Sequence, residues 1–294
     1  TNVPSVDADA GEVAWVASGI YEVDALRVYN GGVYKCAKGY TADANSPTPD
    51  KDATRWKFKE PSNRMSPFDE YIYTAAKKAG ELKYDLELPF FTGFAMYGAE
   101  ADVIDVRLKN SDGVDLVEAQ SAEMWEQAFG EYEYLFGNLQ QTKKLTRQGL
   151  PLSPASRLQI SLKRNNPTVN AELGFLAVGQ WQQLLFPRST IGGTDSADVT
   201  PKSYAYYESN SDGTYKRIAG RVAKLISASV LIDASEAPRV ERLLEKIIDI
   251  PVAIEASSLP RYGHLSTVGF VSGSVRTTSD WQTARVDIKV TGNI

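Results

Sequence analysis

Three short runs in this chain alternate apolar and polar residues without a break, and nothing else in it limits the fold as strongly. Ile104, Val106 and Leu108 alternate with Asp105, Arg107 and Lys109. Leu158, Ile160 and Leu162 alternate with Gln159, Ser161 and Lys163, and Val286, Ile288 and Val290 with Arg285, Asp287 and Lys289. Successive side chains of a strand point to opposite faces, so each run predicts one face on a core and one in water. That pattern belongs to antiparallel sheet, because parallel strands are covered on both faces. With turn clusters such as Asn110-Ser-Asp-Gly113 between the runs, the chain reads as mainly β, with an antiparallel β-sandwich at its centre. A further, more buried strand is expected over 172–181.

One segment has a different period. Val240, Leu243, Leu244, Ile247 and Ile248 fall on one face at about 3.6-residue spacing, which predicts an amphipathic helix. Ser235 is its expected N-cap. Pro238 fits the first turn, where backbone N–H groups have no intrahelical acceptor, and Pro251 ends the helix. A strand carrying Ile226, Ala228, Val230 and Ile232 precedes it, and strands over 251–256, 267–275 and 281–290 follow. This order predicts an α+β domain with one helix on an antiparallel sheet. The stretch 124–136 fits helix or strand by periodicity. Within it, Glu131 and Glu133 alternate with Tyr132, Tyr134 and Phe136, which reads most simply as a strand with one wet face.

Five segments follow from these patterns. Residues 1–12 are small and acidic and read as an arm that orders only against a partner. Residues 13–60 form a small aromatic β unit. Its strand Ala25-Leu-Arg-Val-Tyr29, turn Asn30-Gly31-Gly32 and strand Val33-Tyr-Lys-Cys-Ala37 make a hairpin, since Asn and Gly tolerate positive φ. So small a unit needs its Trp and Tyr residues for packing. Glu60-Pro-Ser-Asn63 reads as a linker into the sandwich, 61–185. Residues 186–211, rich in Gly, Ser, Asp and Pro, read as a crossover loop, and the α+β domain fills 212–294. Asp195 and Asp198 in that loop could serve a cation, though hydrated loop carboxylates are the simpler reading.

Composition excludes several functions. The chain of 294 residues has one histidine, His264, and one cysteine, Cys36. No internal disulfide and no Cys/His zinc set can form from these. Nucleophilic triads would depend on His264, which lies in Pro260-Arg-Tyr-Gly-His264 and reads as a loop histidine. The sequence holds no phosphate loop leading into a helix, no Gly-x-Ser-x-Gly and no His-Glu-x-x-His. No catalytic residue, cofactor or metal is therefore expected, and the chain does not read as an enzyme. A formal charge of −5 and a pI near 5.2 argue against nucleic acid as the partner. No apolar run reaches about 18 residues, so no membrane span is expected. Residues 1–11 are polar and acidic, so no secretory leader is expected either.

Two stretches resemble known families. Trp15, then Tyr21-x-x-Asp24-x-x-x-Val28-Tyr29-x-Gly31-Gly32-x-Tyr34-Lys-Cys-Ala37, then Pro47 and Trp56, resemble the small chitin-binding modules of carbohydrate-binding families 5 and 12. The resemblance implies a β module whose Tyr21, Tyr34, Tyr40 and Trp56 are candidates for stacking on a sugar, with a host surface glycan as ligand. Asp24-Ala25 stands where those modules carry Gly-Asp. Stacking requires an open ring face on at least one of the four. If Trp15, Tyr34 and Trp56 are all core, the module is a docking peg instead.

The second resemblance covers about 63–294. Asn63-Arg64-Met65-Ser-Pro-Phe68-Asp69 resembles an N-R-W-x-x-F-D segment of a family of tailed-bacteriophage virion proteins, with Met65 in place of Trp. Gly93-Phe-Ala-Met-Tyr97-Gly98, Val103-Ile-Asp-Val106, Asn110-Ser-Asp-Gly113-Val114 and Leu173-Gly-Phe-Leu-Ala-Val178-Gly179 resemble further family motifs in the same order. The resemblance implies a structural component of the tail, baseplate or collar. Its partners would be other copies of itself and other virion tail proteins, such as fibres. Its location would be the virion, assembled in the host cytoplasm, which the lack of cysteine pairs suits.

Overall fold

The computed structural model describes residues 6–126, 128, 130–185, 192–209, 211–257 and 262–292. In it the alternating runs become core strands. Val103–Lys109 lies between Gln120–Glu123 and Ser156–Lys163, and Glu81–Leu88 pairs with the other side of Ser156–Lys163, all antiparallel. Ile104 stands opposite Leu162, Val106 opposite Ile160, and Leu108 opposite Leu158. Leu82, Tyr84 and Leu86 continue the same apolar face. A second antiparallel sheet, Lys144–Arg147, Gly93–Tyr97 and Phe175–Gly179, supplies Phe94, Met96, Leu145 and Leu176 to the same core. The arrangement is sandwich-like and mainly β.

The chain divides into two compact units, 1–181 and 182–294. The second holds a five-stranded antiparallel sheet in the order Gly193–Ser203, Val222–Asp233, Thr283–Gly292, Ser266–Thr277, Val252–Glu255. Ile226, Val230, Ile232, Val286, Ile288 and Val290 line one face, and the helix Ala237–Ile247 packs on it through Val240, Leu244 and Ile247. Gly273 makes room for that helix: a Cβ there would lie 3.1 Å from Leu244 Cδ1. The opposite face is polar, with Arg285 donating to Ser229 Oγ at 2.6 Å and Asp287 accepting from Ser229 at 2.9 Å.

Several expectations need correction. The strand expected over 172–181 is two strands in different sheets, Asn170–Leu173 and Phe175–Gly179. Gly174 separates them, where a Cβ would come within 2.2 Å of the Ile72 carbonyl. The expected crossover loop contains the eleven-residue strand Gly193–Ser203. This strand is a sheet edge with almost all its side chains in or near water, so it has no apolar alternation to reveal it. Its hydrogen bonds come from the partner strand. Residues 186–191 of that expected loop lie outside the described residues.

The Glu/aromatic alternation is the short helix Glu131–Phe136, not a strand. The helix itself has Glu236 at its N-cap with no side-chain capping bond; Asp233 caps the 3-10 turn Ala234–Glu236 ahead of it, accepting from Ser235 N at 2.8 Å and Ser235 Oγ at 2.7 Å. Ser235, the expected N-cap, lies inside that turn because the chain winds up one turn before the helix begins. Ile248 lies past the helix end in extended backbone and is 60% exposed, so it leaves the apolar face.

Candidate functional site

The aromatic module is built on the antiparallel sheet Leu26–Tyr29, Gly32–Cys36 and Trp56–Pro61, with Ile20–Tyr21 and Tyr40–Thr41 paired beside it. The hairpin turns where expected, with Asn30 and Gly31 both at positive φ. Asp24 also has positive φ, at 70°, and occupies the position where the resembled modules carry glycine. Aspartate tolerates that region better than most residues. Its carboxylate reaches Lys35 Nζ at 2.8 Å.

The four candidate rings have different surroundings. Tyr21 and Trp56 are each 2% exposed and form the module's core with Cys36 and Ala42. Tyr21 Oη donates to the Val16 carbonyl at 2.6 Å and accepts from the Val16 amide at 2.8 Å. Trp56 Nε1 donates to Tyr40 Oη at 2.9 Å. Tyr40 is half-buried, edge-on to Trp56, with the Arg55 guanidinium 4.5 Å from its ring centroid. Its ring is thus occupied by protein groups on two sides.

Tyr34 is half-buried, and its cross-strand partner Phe58 is 60% exposed. Their rings meet edge to face at 5.7 Å. A Cβ on Gly32 would lie 2.9 Å from the Phe58 ring and 3.1 Å from the Tyr34 ring, so glycine lets both lie over the strand. Burial raises the Tyr34 phenol above its ordinary pKa, and the Asp50 carboxylate and Tyr29 add to the effect. The open ring is therefore on Phe58 with Tyr34 beside it, while Tyr21 and Trp56 are enclosed. Phe58 was legible as a same-face neighbour of Trp56 at i+2. Its exposure was not, because height over the core depends on where the sheet ends.

Residues 6–12 order against the chain itself. Asp7 is 5% exposed and accepts from Arg64 Nε at 2.7 Å. Asn63 Nδ2 donates to Asp7 at 3.2 Å, and the Asn63 amide donates to Glu12 at 2.6 Å. Burial pushes the Asp7 carboxyl up, but the Arg64 hydrogen bond and charge, with Asn63 and the Asp9 amide, together hold it below the usual range. The expected linker is part of this contact: its Ser62 is fully buried, and Asn63 also donates to the Lys77 carbonyl at 2.9 Å.

The other singled-out polar groups lie elsewhere. Asp195 pairs with Arg285 at 3.3 Å, and Asp198 accepts from Thr200 Oγ1 at 3.1 Å. Among the described residues no group of three or more His, Cys, Asp or Glu is placed to hold a metal ion. His264 sits edge-on to Tyr262 at 6.4 Å, and its carbonyl accepts from Lys224 Nζ. No described helix is long and apolar enough to cross a membrane. Comparison of the chain with protein-family models, curated proteins and solved structures finds no match.

Proposed function

We propose that this chain is a structural subunit of a tailed-phage virion, placed in the tail, baseplate or collar. In this reading it assembles with other copies of itself and carries other tail parts. The observation behind it is apolar surface held in water. Tyr132, Tyr134, Leu135 and Phe136 are 67–78% exposed, Tyr206, Tyr207 and Tyr215 58–70%, and Trp281 84%. Clustered exposure of this size marks surfaces that neighbouring chains cover. The ordered motifs that resemble virion proteins support the same reading, and its work is docking rather than catalysis. Quantitative mass spectrometry of purified particles tests it. The chain should be present at a fixed copy number relative to the major capsid protein, and its absence from particles overturns the proposal.

A second reading has one specific observation in its favour, the open Phe58 ring beside Tyr34. A flat apolar ring stacks on the apolar face of a pyranose. On this reading the chain adheres to a host surface glycan. A glycan array decides it: binding should be lost in Phe58→Ala and kept in Arg55→Ala.

A further inference from the structure

We propose that residues 6–12 are an intramolecular latch that sets the orientation of the aromatic module on the sandwich. The latch ties the point where the chain enters the module to the point where it leaves. The inference goes beyond both functional readings, because it holds whatever the module touches.

The chain enters the module directly after Glu12. The Val13 carbonyl accepts from the Val28 amide at 2.8 Å, and the Trp15 amide donates to the Val28 carbonyl at 2.9 Å. It leaves along the strand Trp56–Pro61, after which the Ser62 amide donates to the Gly31 carbonyl at 2.8 Å. Asn63 comes next, and its amide donates to Glu12 at 2.6 Å. Entry and exit therefore meet at one residue. Asn63 and Arg64 are in turn fixed to the sandwich. The Asn63 side chain donates to the Lys77 carbonyl and accepts from the Lys77 amide, both at 2.9 Å, in the strand Ala76–Ala79. The Arg64 carbonyl accepts from Tyr84 Oη at 3.3 Å, and Tyr84 belongs to the sandwich core.

The latch is a closed turn. Asp7 caps the 3-10 turn Ala8–Ala10, and its carbonyl accepts from the Ala10 and Glu12 amides at 3.1 and 3.2 Å. Gly11 ends the turn at a φ of 77°, which glycine adopts without strain. The Asp7 amide donates to the Glu12 carboxylate at 2.7 Å, and the other oxygen of that carboxylate takes the Asn63 amide. The Asp7 carboxylate takes Arg64 Nε at 2.7 Å and Asn63 Nδ2 at 3.2 Å. Hydrogen bonds to a charged group are the strong ones, and the Asp7 and Arg64 side chains are largely enclosed. At the rim Asp9 pairs with Lys78 at 3.1 Å but is 71% exposed, and so open a pair adds little.

A module held by one chain passage turns about it, and relative motion is the default where the interface is small. Without residues 6–12 the module would keep the passage through Ser62 and the packing of Met65 near Gly31, where a Cβ would lie 3.1 Å from Met65 Cγ. With them, two passages are clamped at Asn63 and no single axis remains. The run Asn63-Arg64-Met65 thereby acquires a physical role. Its first two residues hold latch and sandwich together, and the third touches the module.

The test measures one distance in the full chain. Lys57→Cys in the module and Arg107→Cys in the sandwich are exposed positions that take spin labels, since the native Cys36 is buried. Pulsed electron paramagnetic resonance should give a single narrow distance distribution. Adding Asp7→Ala with Glu12→Ala should broaden it about twofold or more, as should starting the chain at Val13. Asp9→Ala should leave the width unchanged. The Trp56 indole N–H resonance, set by its bond to Tyr40, reports on the module's own fold and should stay in place throughout. An unchanged width in the double variant overturns the proposal, even if its stability falls. Loss of the Trp56 resonance in that variant also overturns it, because the segment would then be part of the module's fold. So does a broad distribution in the chain with residues 6–12 intact.

Discussion

Asp7 and Arg64 show how single residues join distant parts of the chain. Both side chains are nearly enclosed, at 5% and 12% exposure, so removing one leaves the other charged and uncompensated. Asp7→Asn should cost about 2 kcal/mol at neutral pH, the range of a hydrogen bond to a charged group. The sign of its pH dependence follows from the lowered pKa. The stabilisation is fully present above the unfolded value of about 3.9 and is lost as pH falls through the lower folded value. Denaturation of both proteins from pH 7 downward should show the difference shrinking only below about pH 4. The aromatic module provides a second residue-scale contrast. Trp56→Ala should destabilise the module by about 3–5 kcal/mol, because it empties a core site. Phe58→Ala should change stability by less than about 1 kcal/mol, because its ring is largely in water. Equal losses in urea titrations would show that Phe58 is also core.

At the scale of elements, the helix Ala237–Ile247 depends on a glycine in a strand. Leu244 is half-buried over Gly273, so Leu244→Ala should cost about 2 kcal/mol, at the low end for leucine truncation. Gly273→Ala puts a methyl group 3.1 Å from Leu244 Cδ1 and 3.2 Å from the Asp287 carbonyl. It should destabilise the unit, and adding Leu244→Ala should cost less than the two single changes summed. A double-mutant cycle in guanidinium measures this directly, and simple additivity would mean that the helix does not rest on that strand. Caps act at the same scale. Asp233 accepts from Ser235 through both its amide and its hydroxyl, so Asp233→Ala should lower the unfolding midpoint more than Ser235→Ala.

At the scale of the whole molecule, the two units have separate cores. The cluster containing Leu82, Phe94, Ile104 and Leu158 lies within 1–181, and that containing Ile226, Val240 and Val286 lies within 182–294. A unit that encloses its own apolar core folds by itself. Expressed apart, 1–181 and 182–294 should each give a cooperative unfolding transition and dispersed amide NMR resonances. A fragment that remains unfolded while the full chain is folded would show that its core is completed by the other unit. The exposed tyrosines of the 206–218 hairpin and the helix Glu131–Phe136 contribute to neither core.

The sequence by itself determined the mainly β class, the inward sides of Val103–Lys109, Ser156–Lys163 and Thr283–Gly292, and one helix laid on an antiparallel sheet. These follow from side-chain period alone, since a period of two or of 3.6 allows only one way to bury the apolar side chains. The Asn30-Gly31 turn was legible for the same local reason, the φ those residues accept. Tertiary structure decided the rest. Gly193–Ser203 became a strand because Val222–Asp233 supplied its hydrogen bonds, although its own polar side chains reveal nothing. Tyr21 and Trp56 were enclosed while Phe58 stayed open, because burial of an aromatic depends on what covers it, and residue type is silent on that. Asp7 to Glu12 were tied down by Asn63 and Arg64, more than fifty residues away in sequence, where only folding brings donor and acceptor within reach.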